Sequence, residues 1–523
     1  MNSEMANAEL LADALEQLLL DPTAVHSWQR LLQPFAAADE ALRRQAYGIL
    51  VQHVRTDGVA GLLRATFLAN VAGDASFRAQ AATALLEMPQ VEPDRIAANL
   101  AVTWFHVLAR QPGQIEFAAA MRDAGFPAML RRSGDYLADR MGAQFARRAI
   151  GRVGKVAVLT TQLSAATHAP TCLALTHSAL LQAGGMTVEL FAAQELSISH
   201  MSQLLGCGNC TKLPPPDPES WQRCLQSPLN IHMADERLSL MRRWGGLLDR
   251  LVQFDPDLIL FVGLYSPLLE VLYRQRPVLA LSVQSVATIG PVDVRLAADP
   301  QQTADGGASW APHFPVAAPW HYPYRVPPEP AQPPLSRATL GLPEGALVIV
   351  SVGYRLREEI AGHWAARMVQ VLLARPDVFW LLVASGDPVP AALHGLPQGQ
   401  VRTLPHQSNL PGVLACCDIY VNPPRMGGGL SVAQAMAAGL PVLSFGGSDG
   451  GDKVGAAAVP DSEQYVATLQ AWLADPAART ACGAAMRERF ASTLDLRLAG
   501  PSLLAACDAA LAHFQRRTTA ASS

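Results

Sequence analysis

The sequence lacks both a surplus of positive charge and a long uninterrupted apolar run. Its 40 lysines and arginines are outnumbered by 44 aspartates and glutamates, which leaves a net charge of −4. Binding to nucleic acid depends on clustered positive charge, so this balance argues against a nucleic-acid partner. No stretch of about 18–20 residues is free of charged and turn residues, so no membrane span is predicted.

Cysteine is also sparse, and no secretion signal is recognisable. The eight cysteines are scattered, and Cys172, Cys416 and Cys507 lie inside apolar runs, as reduced thiols of cytosolic proteins do. The first segment, MNSEMANAELLADALEQLLL, is acidic and helical instead of basic and then apolar. These features predict a cytoplasmic protein.

One pair of cysteines, Cys207 and Cys210 in GCGNC, has the spacing of metal ligands. Cys224 follows, but a zinc site would need a fourth ligand, for which His232 is the nearby candidate. A loop with incidental thiols is the preferred interpretation.

Residues 1–150 show helical periodicity throughout. Segments such as ELLADALEQLLL and EALRRQAYGILVQHV repeat apolar residues at spacings of three and four. No fixed longer period emerges, so a helical-repeat solenoid stays an open alternative. The pattern predicts an all-helical N-terminal domain.

From residue 151 onward, short β-branched runs alternate with helical stretches. KVAVLTTQL, TVELFAA, DPDLILFVG and PVLALSVQS read as strands of a first half, and ALVIVSVGYR, VFWLLVASG, VRTLP, DIYVNP and PVLSF as strands of a second. A stretch with six prolines, YPYRVPPEPAQPPLS, separates the halves. We therefore predict an α/β protein with two Rossmann-like doubly wound domains, at 151–325 and 341–523, joined by a proline-rich linker at 326–340.

Ligands of such sheets bind at the carboxyl ends of the strands, so the cleft between the two halves is the expected site. Three glycines, Gly427, Gly428 and Gly429, stand between the strand DIYVNPP and the helix SVAQAMAAG. Glycine lets a ligand approach the backbone amides, and a helix N-terminus favours an anion. With Ser431 as a cap or donor, this turn predicts a diphosphate site; a purely structural tight turn is the alternative.

Four further side chains follow strands of the same half. Tyr354 and Arg355 lie on its first loop, where an arginine can bind phosphate oxygens in a fork. His406 follows another strand and could reach a base or ribose, and Lys453 could meet the second phosphate. The alternatives are a solvated arginine, a structural histidine and a surface lysine.

The order of these segments resembles the GT-B glycosyltransferases. Within that class, PHQSNLPGVLACCDIYVNPPRMGGGLSVAQ is similar to the corresponding segment of the bacterial cytoplasmic N-glycosyltransferases that modify adhesins. Those enzymes are relatives of the O-GlcNAc transferases and carry an all-helical N-terminal domain. Their segment runs from PHS through CD, a hydrophobic strand and NP to a Gly/Asn turn before a helix. The resemblance covers roughly residues 150–490.

The resemblance implies a UDP-sugar donor and assigns roles to residues of this chain. The uracil-contacting histidine falls on His406, and the diphosphate-binding lysine falls on Arg355. The acidic residue that holds the ribose falls on Gln434, which is neutral but can still bond a hydroxyl. The donor-binding turn and helix start comprise Gly427 to Ser431, with Leu430 between the glycines and Ser431.

Retaining enzymes of the glycogen-synthase-like type would show two glutamates eight positions apart around this turn. Those positions hold Met426 and Gln434, which favours an inverting reaction. An inverting transfer needs a base or a positioned group at the acceptor. His168, on the loop after the first strand of the first half, is the candidate, whereas His177 is assigned to helix packing. With an amide nitrogen as acceptor, His168 would only position it.

The acceptor side is expected on two further loops of the first half, at Gly263, Ser266 and Thr288. Val286-Ala287-Thr288 lacks the histidine of the related His-Pro-Ala-Thr-Thr segment, so acceptor specificity is expected to differ. The pair Asp255 and Asp257 precedes its strand and faces the wrong end of the sheet for a cation site. We therefore expect no metal or other cofactor.

These observations predict transfer of a hexose or N-acetylhexosamine from a UDP-sugar to an acceptor, with a protein or a glycan as the expected acceptor. The helical region would recruit that acceptor or a partner. Two alternatives stay open: a nucleotide-sugar epimerase, which would need carboxylates in the cleft, and a non-catalytic scaffold built on the same fold.

Overall fold

The structure is a computed structural model. It describes residues 2–72, 76–88, 93–110, 114–142, 144–146, 148–166, 168–196, 215–283, 286–298, 308, 310–324, 326, 335–384 and 388–522.

The N-terminal domain is all-helical in its described residues. In α2, the buried residues Ser27, Trp28, Leu31 and Phe35 recur at helical spacing, so one stripe packs inward. Asp39 caps α3 by accepting a hydrogen bond from the Leu42 amide. The helices are α1 (Asn2–Leu20), α2 (Val25–Ala37), α3 (Glu40–His53), α4 (Gly58–Ala72), α5 (Ser76–Glu87), α6 (Pro93–Arg110), α7 (Gln114–Asp123) and α8 (Phe126–Met141).

The second domain is built on a parallel sheet of seven strands in the order β3-β2-β1-β4-β5-β6-β7. Its central strand, LILFV, is buried along its whole length, because helices cover both faces. The strands are β1 (Lys155–Thr160), β2 (Thr187–Ala192), β3 (Asn230–Met233), β4 (Leu258–Val262), β5 (Val278–Leu281), β6 (Val294–Ala297) and β7 (Ala318–His321). The helices are α9 (Ala169–Ala183), α10 (Pro218–Trp221), α11 (Leu240–Phe254) and α12 (Leu268–Tyr273).

The third domain has a parallel five-stranded sheet in the order β10-β9-β8-β11-β12. Its strands are β8 (Leu347–Val352), β9 (Val378–Val383), β10 (Val401–Leu404), β11 (Ile419–Val421) and β12 (Val442–Leu443). Its helices are α13 (Leu356–Glu359), α14 (Gly362–Ala374), α15 (Leu410–Leu414), α16 (Gly429–Ala438), α17 (Asp449–Val454), α18 (Ser462–Ala474) and α19 (Pro476–Arg489).

The last helix, α20 (Gly500–Ser522), returns to the second domain. Leu503 and Cys507 are buried in the core that also contains β1 and β4. Arg517 Nε donates to Asp293 Oδ1 at 2.7 Å, at the start of β6. The end of the chain therefore ties the second and third domains together.

The helical domain packs over loops at the carboxyl end of the seven-stranded sheet. The rings of Phe126 and Tyr265 meet edge to face with centroids 4.9 Å apart. Trp310 and Phe314 belong to the same apolar cluster, and Met426 of the third domain joins it with 1% of its surface exposed. All three domains therefore meet around the cleft.

The architecture predicted from the sequence, an all-helical domain followed by two Rossmann-like domains, is confirmed. Over the described ranges, no helix combines the length and apolar character that a bilayer crossing requires.

The sequence placed Asp255 and Asp257 away from the cleft, and the structure confirms it. Asp257 Oδ2 accepts the amides of Gly154 and Lys155 at 2.8 Å each, at the start of β1. Cys207 and Cys210 lie outside the described residues. Within the residues that the structure covers, no three histidine, cysteine or acidic side chains are grouped so as to hold a metal ion.

Candidate active site

The glycine turn lies between β11 and α16, at the carboxyl end of the five-stranded sheet. Gly428 has φ +91°, which side-chain-bearing residues rarely adopt, and it is the N-cap of α16. Gly427 and Gly428 are half-buried, whereas Gly429 is buried. The turn is therefore neither fully covered nor fully open.

The sequence analysis missed Arg425, a buried arginine that supports the glycine turn. Its Nη1 donates to Glu359 Oε2 at 2.9 Å, its Nε to Asn422 Oδ1 at 2.8 Å, and its Nη2 to the Val352 carbonyl at 3.0 Å. The guanidinium thus connects the loop after β8 with the loop after β11. The sequence signal for it was slight: an arginine directly before the glycines in PPRMGGG.

Arg355 reaches the same glycine turn from the loop after β8. Its Nη2 lies 3.1 Å from Glu359 Oε1, so Glu359 pairs with Arg425 on one oxygen and with Arg355 on the other. The same Nη2 is 3.5 Å from the position of a Cβ built on Gly427. The structure therefore brings Arg355 and the turn together, with Glu359 positioning both arginines.

The rings of Tyr354 and His406 are stacked parallel to each other beside Arg355. The ring planes are parallel within 2°, with centroids 6.0 Å apart. Both side chains are exposed, and Tyr354 retains 60% of its accessible surface. Partial burial raises the pKa of the Tyr354 hydroxyl, so it stays protonated at neutral pH. Exposed aromatic rings of this kind can stack against a planar ring.

Asp449 occupies the helix N-terminus where the sequence predicted an anion. Its Oδ2 accepts the Gly429 amide at 3.0 Å, and its Oδ1 accepts Lys453 Nζ at 2.6 Å. A Cβ on Gly429 would lie 2.2 Å from Oδ2, so this contact requires glycine. The Lys453 side chain is only 4% exposed. The chain's own carboxylate thus satisfies the two groups that were predicted to bind phosphate.

The remaining donor-side residues lie on α16. The Ser431 hydroxyl donates to the Gly428 carbonyl at 3.0 Å and accepts the Tyr420 hydroxyl at 2.8 Å, so it is engaged within the domain. Gln434, one helical turn further on, is half-buried. Leu430 is half-buried and lines a small pocket that reaches the second domain.

His168 is the N-cap of α9, directly before Ala169, which lines this pocket from the second domain. Its Nδ1 is 3.1 Å from Thr171 Oγ1, and that oxygen also accepts the Ser164 amide at 2.9 Å. Burial lowers the pKa of His168 to about 4, so the imidazole is neutral at physiological pH. His177, assigned to packing, is fully buried and bonded to the Leu173 carbonyl and the Tyr322 hydroxyl, which confirms that assignment.

The second and third domains approach each other closely at the small pocket beside Leu430. Ala169 and Cys172 of α9 face Leu430, Asp449 and Lys453 across a pocket of about 30 Å³. That volume corresponds to roughly one or two water molecules. A nucleotide sugar would therefore require the domains to move apart here.

One of the acceptor-side residues, Ser266, contacts a buried carboxyl group that the sequence analysis also missed, Glu195. The Ser266 hydroxyl donates to Glu195 Oε1 at 2.6 Å, and Trp244 Nε1 donates to the same oxygen at 3.1 Å. The Thr288 hydroxyl donates to the Gly263 carbonyl at 3.2 Å. Both hydroxyls are buried, so Ser266 and Thr288 shape the loops around the cleft. Burial raises the pKa of Glu195 from 4.5 to about 7.

We expect Glu195→Gln to remove a pH dependence of stability. Between about pH 4.5 and pH 7, folded Glu195 holds a proton that the unfolded chain has lost. The contribution of Glu195 to the free energy of unfolding is therefore fully present below pH 4.5. It is lost as the pH rises through 7, by up to about 2–3 kcal/mol between pH 5 and pH 8. Glutamine keeps an oxygen for Ser266 and Trp244 and does not titrate.

Urea denaturation at pH 5, 6, 7 and 8 measures this difference, with Glu463→Gln, at an exposed carboxylate of α18, as the control. The expected result is a flatter stability profile for Glu195→Gln alone. Parallel profiles for the wild type and both variants would contradict it.

The third domain matches a known protein family. Residues 346–475, from the start of β8 to the end of α18, match the family model described as glycosyl transferases group 1. No match was found among curated protein sequences. The match covers Arg355, the glycine turn and Lys453.

Solved structures of glycosyltransferases resemble the whole chain or its α/β part. An O-GlcNAc transferase from Thermobaculum terrenum, in a mutant form, superposes with a TM-score of 0.51 at 14% identity, covering 98% of this chain and 97% of that one. A glycosyltransferase from Rickettsia africae has a TM-score of 0.45 at 10% identity, covering 69% and 99%. SnogD, a glycosyltransferase from Streptomyces nogalater, has a TM-score of 0.36 at 16% identity, covering 68% and 100%.

The two facing parallel sheets define a protein of the GT-B fold, with a helical domain in front of it. The family match, over residues 346–475, gives the third domain the signature of glycosyl transferases group 1, in agreement with the resemblance noted in the sequence.

Proposed function

We propose that the protein transfers a hexose or N-acetylhexosamine from a UDP-sugar to a protein or glycan acceptor, by an inverting and metal-independent reaction. The observation that carries this proposal is that three positive or hydrogen-donating groups lie at the glycine turn. Arg355 lies beside Gly427, and the Gly429 amide and Lys453 bind the Asp449 carboxylate.

A diphosphate would replace Asp449 in that site. The Gly429 amide and Lys453 Nζ now bind the two Asp449 oxygens, and phosphate oxygens accept the same donors. Arg355 would supply a second cation from the opposite side of the turn. The parallel rings of Tyr354 and His406 would hold the uracil, and Gln434 would bond the ribose.

The residues at positions 426 and 434 support inversion over retention. Met426 lies in an apolar cluster of the second and helical domains with 1% exposure, where an ionised glutamate would be strongly disfavoured. Neither position supplies a carboxylate that could assist a double displacement. An epimerase would need carboxylates in the cleft, so the lack of a carboxylate at positions 426 and 434 also disfavours an epimerase.

His168 would serve the acceptor. With its Nδ1–H donating to Thr171 Oγ1, the neutral Nε2 can take the proton from an acceptor hydroxyl as the acceptor oxygen bonds to the anomeric carbon. The bond from that carbon to the phosphate oxygen breaks, and its electron pair leaves with UDP. Arg355 and Lys453 would stabilise the negative charge that develops on UDP. With an amide acceptor, His168 would orient the nitrogen.

One observation favours a non-catalytic scaffold as the second candidate function. The anion site is satisfied by Asp449, and the pocket beside it measures about 30 Å³. A scaffold would bind UDP saturably, or not at all, without transferring sugar to any acceptor. Incubation with a panel of nucleotide sugars and acceptors, with UDP release as the signal, separates the two functions.

Two substitutions should change UDP affinity in opposite directions. Arg355→Ala should weaken UDP binding about tenfold or more, because a charge-assisted bond to phosphate is lost. Asp449→Asn should tighten UDP binding by about tenfold, because a carboxylate that opposes the diphosphate loses its charge. Isothermal titration calorimetry measures both affinities.

Uridine is the matched ligand control, because it lacks the diphosphate. Its affinity should be unchanged in both variants, and Glu463→Gln should alter neither ligand's affinity. If Asp449→Asn weakens UDP binding, Asp449 is part of the donor site and not a competitor for it. If neither variant distinguishes UDP from uridine, the diphosphate binds elsewhere.

A further inference from the structure

A second cavity lies between the two α/β domains, beyond α17 from the proposed donor site. Its volume is about 460 Å³, within the range of small-molecule sites. The second domain contributes Ala298, after β6, and His321, the last residue of β7. The third domain contributes the loop and helix from Gly446 to Ala458, together with Arg489.

The cavity is distinct from the donor pocket, although α17 borders both. Asp449 and Lys453 line the narrow donor-side pocket, whereas Gly451 and Asp452 line the larger cavity. One short helix thus presents different residues to each space. The larger cavity lies at the β7 and β12 edges of the two sheets, whereas Arg355 and His406 follow β8 and β10.

Arg489 is the cation of this cavity, and it is not neutralised by an acidic neighbour. Its Nε donates to the Lys453 carbonyl at 2.7 Å and its Nη2 to the Asp452 carbonyl at 3.4 Å. No carboxylate forms an ion pair with it in the part of the chain that the structure describes, and burial lowers its pKa. Within the described ranges, two of its five N–H groups donate hydrogen bonds, and the guanidinium has further donors suited to an anion in the cavity.

The other lining groups indicate what accompanies the anion. His321 is exposed and lines the same cavity as Arg489, from the other α/β domain. Asp452 supplies a carboxylate that can accept hydrogen bonds from hydroxyls, and glycines and alanines form most of the remaining wall. A single inorganic ion is much smaller than this space. The lining suits a molecule with one acidic group and several hydroxyls.

We propose that this cavity binds a phosphate monoester of a sugar or similar polyol, with its phosphate on Arg489 and His321 and its hydroxyls toward Asp452. Arginine and histidine side chains supply a planar fork and a ring nitrogen, both suited to phosphate oxygens. The ligand contacts both α/β domains at once. This site is additional to the donor site and does not depend on the transfer reaction.

Ribose 5-phosphate is the probe, titrated into the full-length protein by calorimetry. We expect binding to a single site that persists in saturating UDP. Ribose alone and inorganic phosphate alone should each bind at least about tenfold more weakly, because each offers only part of the contacts. Binding that saturating UDP abolishes would place the probe in the donor site and overturn the proposal. Equal affinity for inorganic phosphate and ribose 5-phosphate would also overturn it.

Two variants, one from each domain, locate the site. Arg489→Lys keeps a positive charge but loses the planar fork, and we expect it to weaken binding about tenfold. His321→Ala alters an exposed side chain, so folding should be unaffected, and a several-fold loss is expected. Arg487→Ala is the control, since Arg487 donates to the Ala438 carbonyl and does not line the cavity. Unchanged affinity in both Arg489→Lys and His321→Ala would overturn the proposal.

Discussion

Arg425→Met will lower the free energy of unfolding by about 3 kcal/mol, because Glu359 loses its buried partner and keeps only Arg355, whose side chain is 37% exposed. Arg425 and Glu359 have side-chain exposures of 5% and 11%. The substitution also leaves the Val352 carbonyl and the Asn422 side chain without their donor. Guanidinium chloride denaturation followed by circular dichroism measures the change.

The same substitution should abolish UDP binding, because Arg425 holds the Arg355 loop against the glycine turn through Glu359. Glu358→Gln, at the adjacent exposed carboxylate, is the matched control and should alter stability by less than about 0.5 kcal/mol. The double variant Arg425→Met/Glu359→Leu should be less destabilised than the sum of the single variants, since both buried charges are removed together and only the partly exposed Arg355 loses a partner. Additive losses would show that the two residues act independently, against this account.

His168→Ala is the second change with a large expected effect. We expect the transfer rate to fall about 10²–10⁴-fold, the usual contribution of a general base, while the dissociation constant for UDP changes less than about twofold. His363→Ala, at an exposed histidine of α14, should leave both quantities unchanged. Release of UDP from the donor sugar reports the rate, and calorimetry reports UDP binding.

The pH profile of transfer provides an independent test of the same residue. The pKa of His168 is about 4, so nearly all of the imidazole stays unprotonated from pH 8 down to about pH 5. We expect the His168-dependent rate to be flat over that range and to fall only as the pH approaches 4. A rate that halves near pH 6.5, or a His168→Ala variant with wild-type activity, would contradict the role assigned to His168.

Nine of the twelve described strands and the site of the glycine turn were predicted from the sequence. Strands buried on both faces, such as LILFV, show as short apolar runs between helical segments. Gly428 was recognisable because only glycine readily adopts φ +91° at the start of a helix. Arg355 was placed on the right loop because it directly follows β8.

Arg425, Glu359, Asp449 and Glu195 escaped notice for a common reason. A charged residue in a loop reads the same in sequence whether it faces solvent or a buried partner. Glu359 and Arg425 meet because β8 and β11 are neighbours in the sheet, although 66 residues separate them in the chain. Asp449 reaches Gly429 because β12 lies next to β11.

The sequence alone determined most of the elements of this protein, although the short strands β3, β6 and β7 were not predicted, and it determined which loops end at the cleft. Local periodicity and backbone freedom decide those features, and both are properties of neighbouring residues in the chain. The tertiary structure alone decided that Met426 is covered by the other domains, that Asp449 satisfies the anion site, and that a second cavity opens behind α17. Those features depend on how separate domains approach one another, and that approach depends on contacts between residues far apart in the chain.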